Sequence, residues 1–398
     1  MYDLANTIFA LGVVGLYFPD WMTIRQIPDS RLAGVQALAG AVVVFAAPWV
    51  GARSDHRGRR MPALVLTTIV AVAATSLLTA GPDVLTFAAL GVALVSVNVG
   101  SVVYDALLPD VSTERTRGSV SGLGVGVGYL GSFLGLAIGR VALDVLGWTH
   151  AATFRTLAVA FLLFALPTFF LVRERPHPRL HGPPPRLATI VSDLVRSWRR
   201  AAGHPDLLRF LIGRFLYTDA INTLIGGFLA IFAIEEIGLD RAGSSTLLGS
   251  AIAAAILGGL GGGRLVEVVG PVRVLRWVLA LWVVAIVSGI LAAATDAVWL
   301  AWLIGPLGGV ALGGTWAADR VVMLRVSPPR HLGEFYGLYA TVGRFATILG
   351  PLVWAVIVDV LDLGRTVAMG ALAAFIAAGF VVVGRVDDRI REWAPDQR

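Results

Sequence analysis

Residues 111–146 read VSTERTRGSVSGLGVGVGYLGSFLGLAIGRVALDVL and residues 326–361 read VSPPRHLGEFYGLYATVGRFATILGPLVWAVIVDVL, one segment written twice. Slid over each other by 215 residues, they agree at fourteen of thirty-six positions, among them Ser112/Ser327, Gly118/Gly333, Gly122/Gly337, Gly128/Gly343, Gly135/Gly350 and Asp144/Asp359. Shared apolar composition matches leucines and valines by chance, but not glycines at four registers plus an aspartate. The chain reads as a duplication. Two more pairings carry nearly the same offset. Gly51-x-x-x-Asp55-x-x-Gly58 returns as Gly263-x-x-x-Glu267-x-x-Gly270, and Asp3-x-x-Asn6-Thr7 returns as Asp219-x-x-Asn222-Thr223, which makes Asp3 and Asp219 repeat mates.

Both halves are composed for lipid. With 57% apolar and 15% charged residues and a mean hydropathy of +0.78, the chain is too apolar for a water-soluble fold. Apolar stretches near the roughly 20 residues that cross a bilayer predict spans at 3–24, 31–51, 62–80, 84–108, 118–142, 152–172, 207–234, 244–264, 274–294, 297–324, 333–358 and 364–384. The expected fold class is an all-α membrane protein. Its twelve transmembrane helices form two pseudo-symmetric six-helix bundles, 1–172 and 207–398, the second with a short cytoplasmic tail. The linker 173–206 is proline-rich from Pro176 to Pro185. It then sets Leu187, Ile190, Val191, Leu194, Val195 and Trp198 at helical spacing against Arg196, Arg199 and Arg200, the pattern of an amphipathic helix on a membrane surface.

Charge follows topology. All 32 basic residues are arginine. Most fall in alternate connections (52–61, 109–117, 173–206, 265–276, 325–332 and the C-terminal tail), leaving Arg25, Arg31, Arg155, Arg241 and Arg365 to the others. By the positive-inside rule the arginine-rich side is cytoplasmic. Both termini are then inside, the number of spans is even, and the expected location is a bacterial cytoplasmic membrane. The net charge of +6 is not gathered on a nucleic-acid-binding module, so no nucleic acid is expected. Met1 leads directly into apolar sequence without a basic n-region or cleavage site, so the first helix is expected to be retained. The lack of cysteine excludes disulfides and thiol chemistry. None of the six histidines has zinc-site spacing, and no metal or cofactor is expected. There is no Gly-x-x-x-x-Gly-Lys-Ser/Thr loop and no lysine to complete one, so energy is expected from a gradient.

The loop after the second span, Gly51-Ala52-Arg53-Ser54-Asp55-His56-Arg57-Gly58-Arg59-Arg60, resembles the signature loop of the major facilitator superfamily. Glycines permit the tight turn, the carboxylate can cap a helix or pair with an arginine, and the basic residues face anionic headgroups. The resemblance implies a conformational latch made of Gly51, Asp55, Gly58, Arg59 and Arg60, with Glu267 in the second copy. Three further stretches resemble the vacuole-effluxer-like branch of that superfamily, whose eukaryotic members are linked to amino-acid export from vacuoles. They are Tyr2 to Thr7, Arg214 to Asn222 with Tyr217 inside it, and Gly333 to Tyr339 running on to Gly343-Arg344 and Gly350-Pro351. The sequence departs from the branch at Leu4 (usually tryptophan), Thr7 (serine) and Arg344 (lysine).

An ionisable side chain inside a span costs at least about 2.5–3.5 kcal/mol, so each is a functional candidate or a paired structural element. Asp3, Asn6 and Thr7 share one helical face, as do Asp219, Asn222 and Thr223. The fourth span carries Asn98, Ser101 and Asp105 on one face, and the tenth carries Trp316, Asp319 and Arg320. By resemblance these spans line the transport pathway, and Asp105 and Arg320 share a register that makes a cross-half pair conceivable. Arg344 shares a face with Tyr336, Ala340 and Thr347 and stands where the first copy has Tyr129. It lies ~16 Å along its span at 1.5 Å per residue, where a guanidinium suits a carboxylate ligand and in the empty state leans on Asp219 or Asp319. Substrate-binding candidates are therefore Asn6, Asn98, Tyr217, Asn222, Trp316 and Arg344; proton-coupling or gating candidates are Asp3, Asp105, Asp219, Asp319 and Arg320. The competing role for each is polar contact between helices.

These features converge on a secondary active transporter working by alternating access around a site near the membrane midplane between the halves. Its expected partners are the bilayer, protons and a small organic solute, an amino acid or related organic anion, and a monomer suffices. The alternative is a transport-inactive receptor or scaffold that keeps the fold. A membrane enzyme finds no nucleophile with an evident base. If the loop at Asp55 is a latch, Asp55→Asn slows turnover or shifts conformational populations and leaves solute affinity within a few-fold. Normal turnover with lost binding places Asp55 in the solute site instead.

Overall fold

The computed structural model describes residues 1–111, 117–172, 174, 187–295, 297–328 and 332–389; at 52, 55–57, 108–109, 117–126, 187–191, 193 and 332–334 it describes the backbone alone. The regular structure among the described residues is helical throughout. In lipid an unpaired backbone amide has no water to bond, and a helix satisfies its amides internally. The helices are α1 (Tyr2–Ile24), α2 (Asp29–Arg57), α3 (Met61–Ser76), α4 (Asp83–Asp105), α5 (Arg117–Arg140), α6 (His150–Leu171), α7 (Leu187–Ala202), α8 (Pro205–Glu235), α9 (Arg241–Val269), α10 (Pro271–Thr295), α11 (Val298–Val326), α12 (Leu332–Phe345), α13 (Leu349–Ala355) and α14 (Arg365–Val383). Among the described residues eleven spans are long and apolar enough to cross a membrane. The third predicted span forms the shorter α3, which ends in a turn where Thr79 takes a positive φ. The eleventh is broken into α12 and α13.

The chain divides into two compact units, Met1–Ile190 and Val191–Arg398. In the first, α1 is held against α5 by glycines. A Cβ at Gly128 would meet the Asp3 Cβ at 3.4 Å, and one at Gly135 would meet the Ile8 carbonyl at 2.9 Å. Tyr17 donates to the Leu136 carbonyl at 2.6 Å and lays its ring against Gly139. In the second unit α8 meets α12 and α13 in the same manner: Gly343 abuts Arg214, Gly350 abuts Asp219 and Thr223, and Phe228 packs on Trp354 with ring centroids 5.1 Å apart.

These contacts correct the repeat alignment of the first helix. Gly128/Gly343, Gly135/Gly350 and Gly139/Trp354 all keep the offset of 215, but their partners Asp3/Arg214, Ile8/Asp219, Gly12/Thr223 and Tyr17/Phe228 differ by 211. The recurring Asp-x-x-Asn-Thr suggested 216. Close approach of backbones decides the true register, and the approach occurs wherever a glycine leaves room. Asp3 is thus the counterpart of Arg214, and Asp219 that of Ile8.

The loop motifs do repeat in structure. Gly58 ends α2 at φ +64° and Gly270 ends α9 at φ +99°, the left-handed stop that favours glycine. Beyond each, an acid that follows the last helix of the unit caps the next helix start. Glu174 accepts from the amides of Arg60 and of Met61 (3.1 Å), and Asp388 accepts from the Val272 amide at 3.1 Å. Arg60 also donates to the Ala106 carbonyl at 2.5 Å, and Arg325 stands 3.7 Å from the Asp388 carboxylate. The side chain of Asp55 lies outside the described residues. The amphipathic α7 buries Ala201 and leaves Trp198 beside Leu211, Ile212, Phe215, Val342 and Phe345 around an apolar groove of about 330 Å³.

A lost cap of this kind costs about 0.5–2 kcal/mol. Glu174→Ala and Asp388→Ala are each expected to lower the thermal unfolding temperature of the purified protein. An unchanged temperature for both variants would mean that the caps hold nothing.

Candidate functional site

The second unit seals one polar cluster and one lone acid inside its spans. Asp319 on α11 is wholly buried and fully bonded: Oδ1 accepts from the Tyr217 hydroxyl, and Oδ2 accepts from Arg214 Nε at 3.1 Å and from the Tyr339 hydroxyl at 2.6 Å. Arg214, 5% exposed, lies over the Tyr339 ring at 3.7 Å. Such a pair survives burial because both carboxylate oxygens are bonded and the cation also finds a ring face, while Arg214 Nη1 is left without a hydrogen-bond partner among the described residues. A Cβ at position 343 would sit 2.7 Å from Arg214 Nη1, so Gly343 makes room for the guanidinium.

Asp219 lies five residues along α8 from Arg214 and differs in kind. It is wholly buried, and neither carboxylate oxygen has a hydrogen bond among the described residues. The carboxylate looks toward the backbone of Ile348, Leu349 and Gly350, where the span breaks between α12 and α13, but those amides are not in bonding geometry. A Cβ at Gly350 would come within 2.8 Å of Asp219 Oδ2. Asn222, one turn on, donates to the Ala346 carbonyl at the same break, at 2.8 Å.

The first unit leaves its polar face open. Asp3 is half-buried, and its Oδ2 accepts from the Tyr104 hydroxyl at 2.9 Å. Tyr104 is steadied by the Tyr2 ring at 4.9 Å, and Tyr2 bonds Thr68 at 2.8 Å. Asn6 donates to Ser101 Oγ at 3.2 Å. Asn98 and Asp105 on the same face of α4 are exposed. Exposed acids and amides in a span are too costly to face hydrocarbon, so this face meets water. In the second unit Arg320 is exposed and Asn222, Trp316 and Arg344 are half-buried.

The predicted residues thus fall into separate groups. Asp319 and Tyr217 come together, with Arg214 and Tyr339, in one sealed cluster. Asp3 and Asn6 meet α4 at Tyr104 and Ser101, whereas the predicted neighbours Asn98 and Asp105 stand exposed one turn to either side. Arg344 does not take Asp319 as its partner, because Arg214 and two tyrosines already occupy that carboxylate. Asp219 is likewise without a bond to it. The latch residues Gly51, Gly58, Arg59 and Arg60 cluster at the end of α2 and Glu267 is exposed near the end of α9. Arg214 and Tyr339 stand in the family-like stretches with no site role read from sequence, and Glu174 and Asp388 carry none either. An arginine inside a span was the available signal for the first.

The sequence profile of the family described as "Vacuole effluxer Atg22 like" matches residues 29–391. The chain belongs to this family. Among curated relatives of this Atg22-like protein, the "Uncharacterized MFS-type transporter YxiO" of Bacillus subtilis (strain 168) is 23% identical, covering 98% of this chain and 94% of the relative. "Autophagy-related protein 22" of Coccidioides immitis (strain RS) is 27% identical, covering 63% of this chain and 45% of the relative. The matched region spans less than half the length of that fungal protein and of "Autophagy-related protein 22-1" of Aspergillus fumigatus. Among solved structures, a bacterial homologue of the human lysosomal transporter Spinster, inward-facing and occupied, superposes with a TM-score of 0.70 at 17% identity, covering 99% of this chain and 97% of that one. The nucleoside transporter NupG superposes with a TM-score of 0.70 at 12% identity, covering 96% and 95%. At that identity the likeness shows the fold alone. The Atg22-like protein is an integral membrane transporter of the major facilitator (MFS) type.

Breaking a buried pair leaves an uncompensated charge and costs about 3–5 kcal/mol, whereas apolar replacement of both members is near neutral. Asp319→Asn is therefore expected to destabilise the Atg22-like protein strongly in thermal unfolding. Arg214→Met combined with Asp319→Leu recovers much of the loss. A double variant no better than Asp319→Asn alone would show that the pair has a further role.

Proposed function

We propose that this protein is a secondary active transporter of an amino acid or a related small organic anion, working by alternating access and coupled to protons through Asp219. One observation carries the reading: a carboxylate wholly buried inside a span, without hydrogen bond or basic partner among the described residues, set against the break in its neighbouring span. Burial disfavours the charged form of a carboxyl group, and a proton is the one ligand small enough to neutralise Asp219 where it lies. Neutral, Asp219 has little reason to attract the amides of residues 348–350; charged, it draws them in, so the proton is coupled to the geometry of the break.

Arg344 stands one residue before the end of α12, next to that break and partly open. It is the proposed receiver of the solute's carboxylate, since a guanidinium fork matches a carboxylate bidentately. Asn222 and Trp316 are proposed to complete the contact, and Asp105 and Arg320 to act in gating. The cytoplasmic placement of both termini in a bacterial cytoplasmic membrane, and action as a monomer, belong to the same proposal.

Proteoliposomes with an imposed pH gradient test it. The wild type is expected to accumulate amino acid. Asp219→Asn keeps exchange of labelled for unlabelled solute and loses accumulation, and Arg344→Gln loses both. Accumulation by Asp219→Asn at the wild-type level would remove proton coupling through this residue. A wild type that moves no solute in either assay would favour the receptor or scaffold reading.

A further inference from the structure

Two carboxylates inside spans, Asp3 and Asp219, have no basic partner among the described residues. They differ in access. Asp219 is sealed, so only a proton reaches it. Asp3 is half-buried on a face that meets water, and among the described residues its one side-chain partner is the neutral hydroxyl of Tyr104. One turn along the same face, Asn6 spends its amide on Ser101 and keeps its carbonyl oxygen, Oδ1, buried and without a partner. A buried acceptor left unmade costs free energy.

The site therefore presents a carboxylate with one neutral donor and an amide carbonyl with none among the described residues, spaced i, i+3 on α1. The remaining neighbours cannot supply the charge. Tyr104 already donates to Asp3, and Ser101 donates to the Val97 carbonyl at 2.9 Å. The group that completes the set brings several N–H donors and a positive charge, which describes a primary ammonium. We propose that Asp3 and Asn6 bind the ammonium group of the transported solute. This rests on the transporter reading above and narrows it to solutes that carry an amine.

The test uses the full chain. The common L-amino acids are screened by counterflow in proteoliposomes. The one transported best is then compared by calorimetry with its deaminated analogue, a carboxylate alone, and its decarboxylated analogue, an amine alone. Hydrogen bonds to a charged group make a loss of about tenfold or more the expected effect. Asp3→Asn is expected to weaken amino acid and amine by that factor and to leave the deaminated acid at its wild-type affinity. Asn6→Ala weakens the same two ligands less, and Asp3→Glu restores part of the loss. The deaminated acid and the thermal unfolding temperature both report that the variants are folded. Equal weakening of all three ligands, or wild-type binding of the amino acid by Asp3→Asn, overturns the ammonium site. Transport confined to solutes without an amine also overturns it while sparing the transporter reading, whereas no counterflow of any solute sinks both.

Discussion

A charge inside a bilayer has three stable arrangements: paired with an opposite charge, neutralised by a proton, or turned toward water. The acids inside these spans differ in which of these the chain itself supplies. Asp319 is paired, with Arg214 and two tyrosine hydroxyls using its oxygens. Glu236 is paired too, with Arg365 at 3.7 Å, and Asp20 is hydrogen-bonded, its Oδ2 2.8 Å from His150 Nε2. Asp219 is enclosed without a cation and Asp3 is open. The paired acids tie helices together.

The glycines decide which acid becomes which. The Gly128–Gly135 and Gly343–Gly350 ladders bring α1 and α8 close to the following helices at matched levels. What stands at those levels is not the same: Asp3 meets Tyr104 where Arg214 meets Asp319, and Ile8 lies where Asp219 lies. A duplication that began symmetric has become a first unit with an open acidic face and a second with a locked ion pair and a buried acid. Two units built alike thereby present different charges.

Much of this was legible in the sequence. Hydropathy located the spans, and the glycine pairs located the repeat, because both depend on local composition along one helix. The caps at Gly58 and Gly270 were legible for the same reason. The register of α1 was not. Asp-x-x-Asn-Thr recurs as letters, but which letter faces which depends on contact with another helix more than a hundred residues away. The partner of Arg344 was misjudged on the same ground, since Arg214 reaches Asp319 first and a span's sequence does not say which of two arginines will. Asp219 was singled out correctly as a buried acid, but its position against the break at 346–348 became visible only once the eleventh span was seen to be interrupted.

The chain has no native cysteine, so the contrast between an open first face and a sealed second cluster can be measured one thiol at a time. In single-cysteine variants Ser101→Cys, Asn98→Cys and Thr218→Cys, the rate of modification by a small charged thiol reagent reports water at each position. The account predicts rapid modification at 98 and 101 and none at 218 while the protein stays folded. Modification at 218 as fast as at 101, or protection at both 98 and 101, would contradict it.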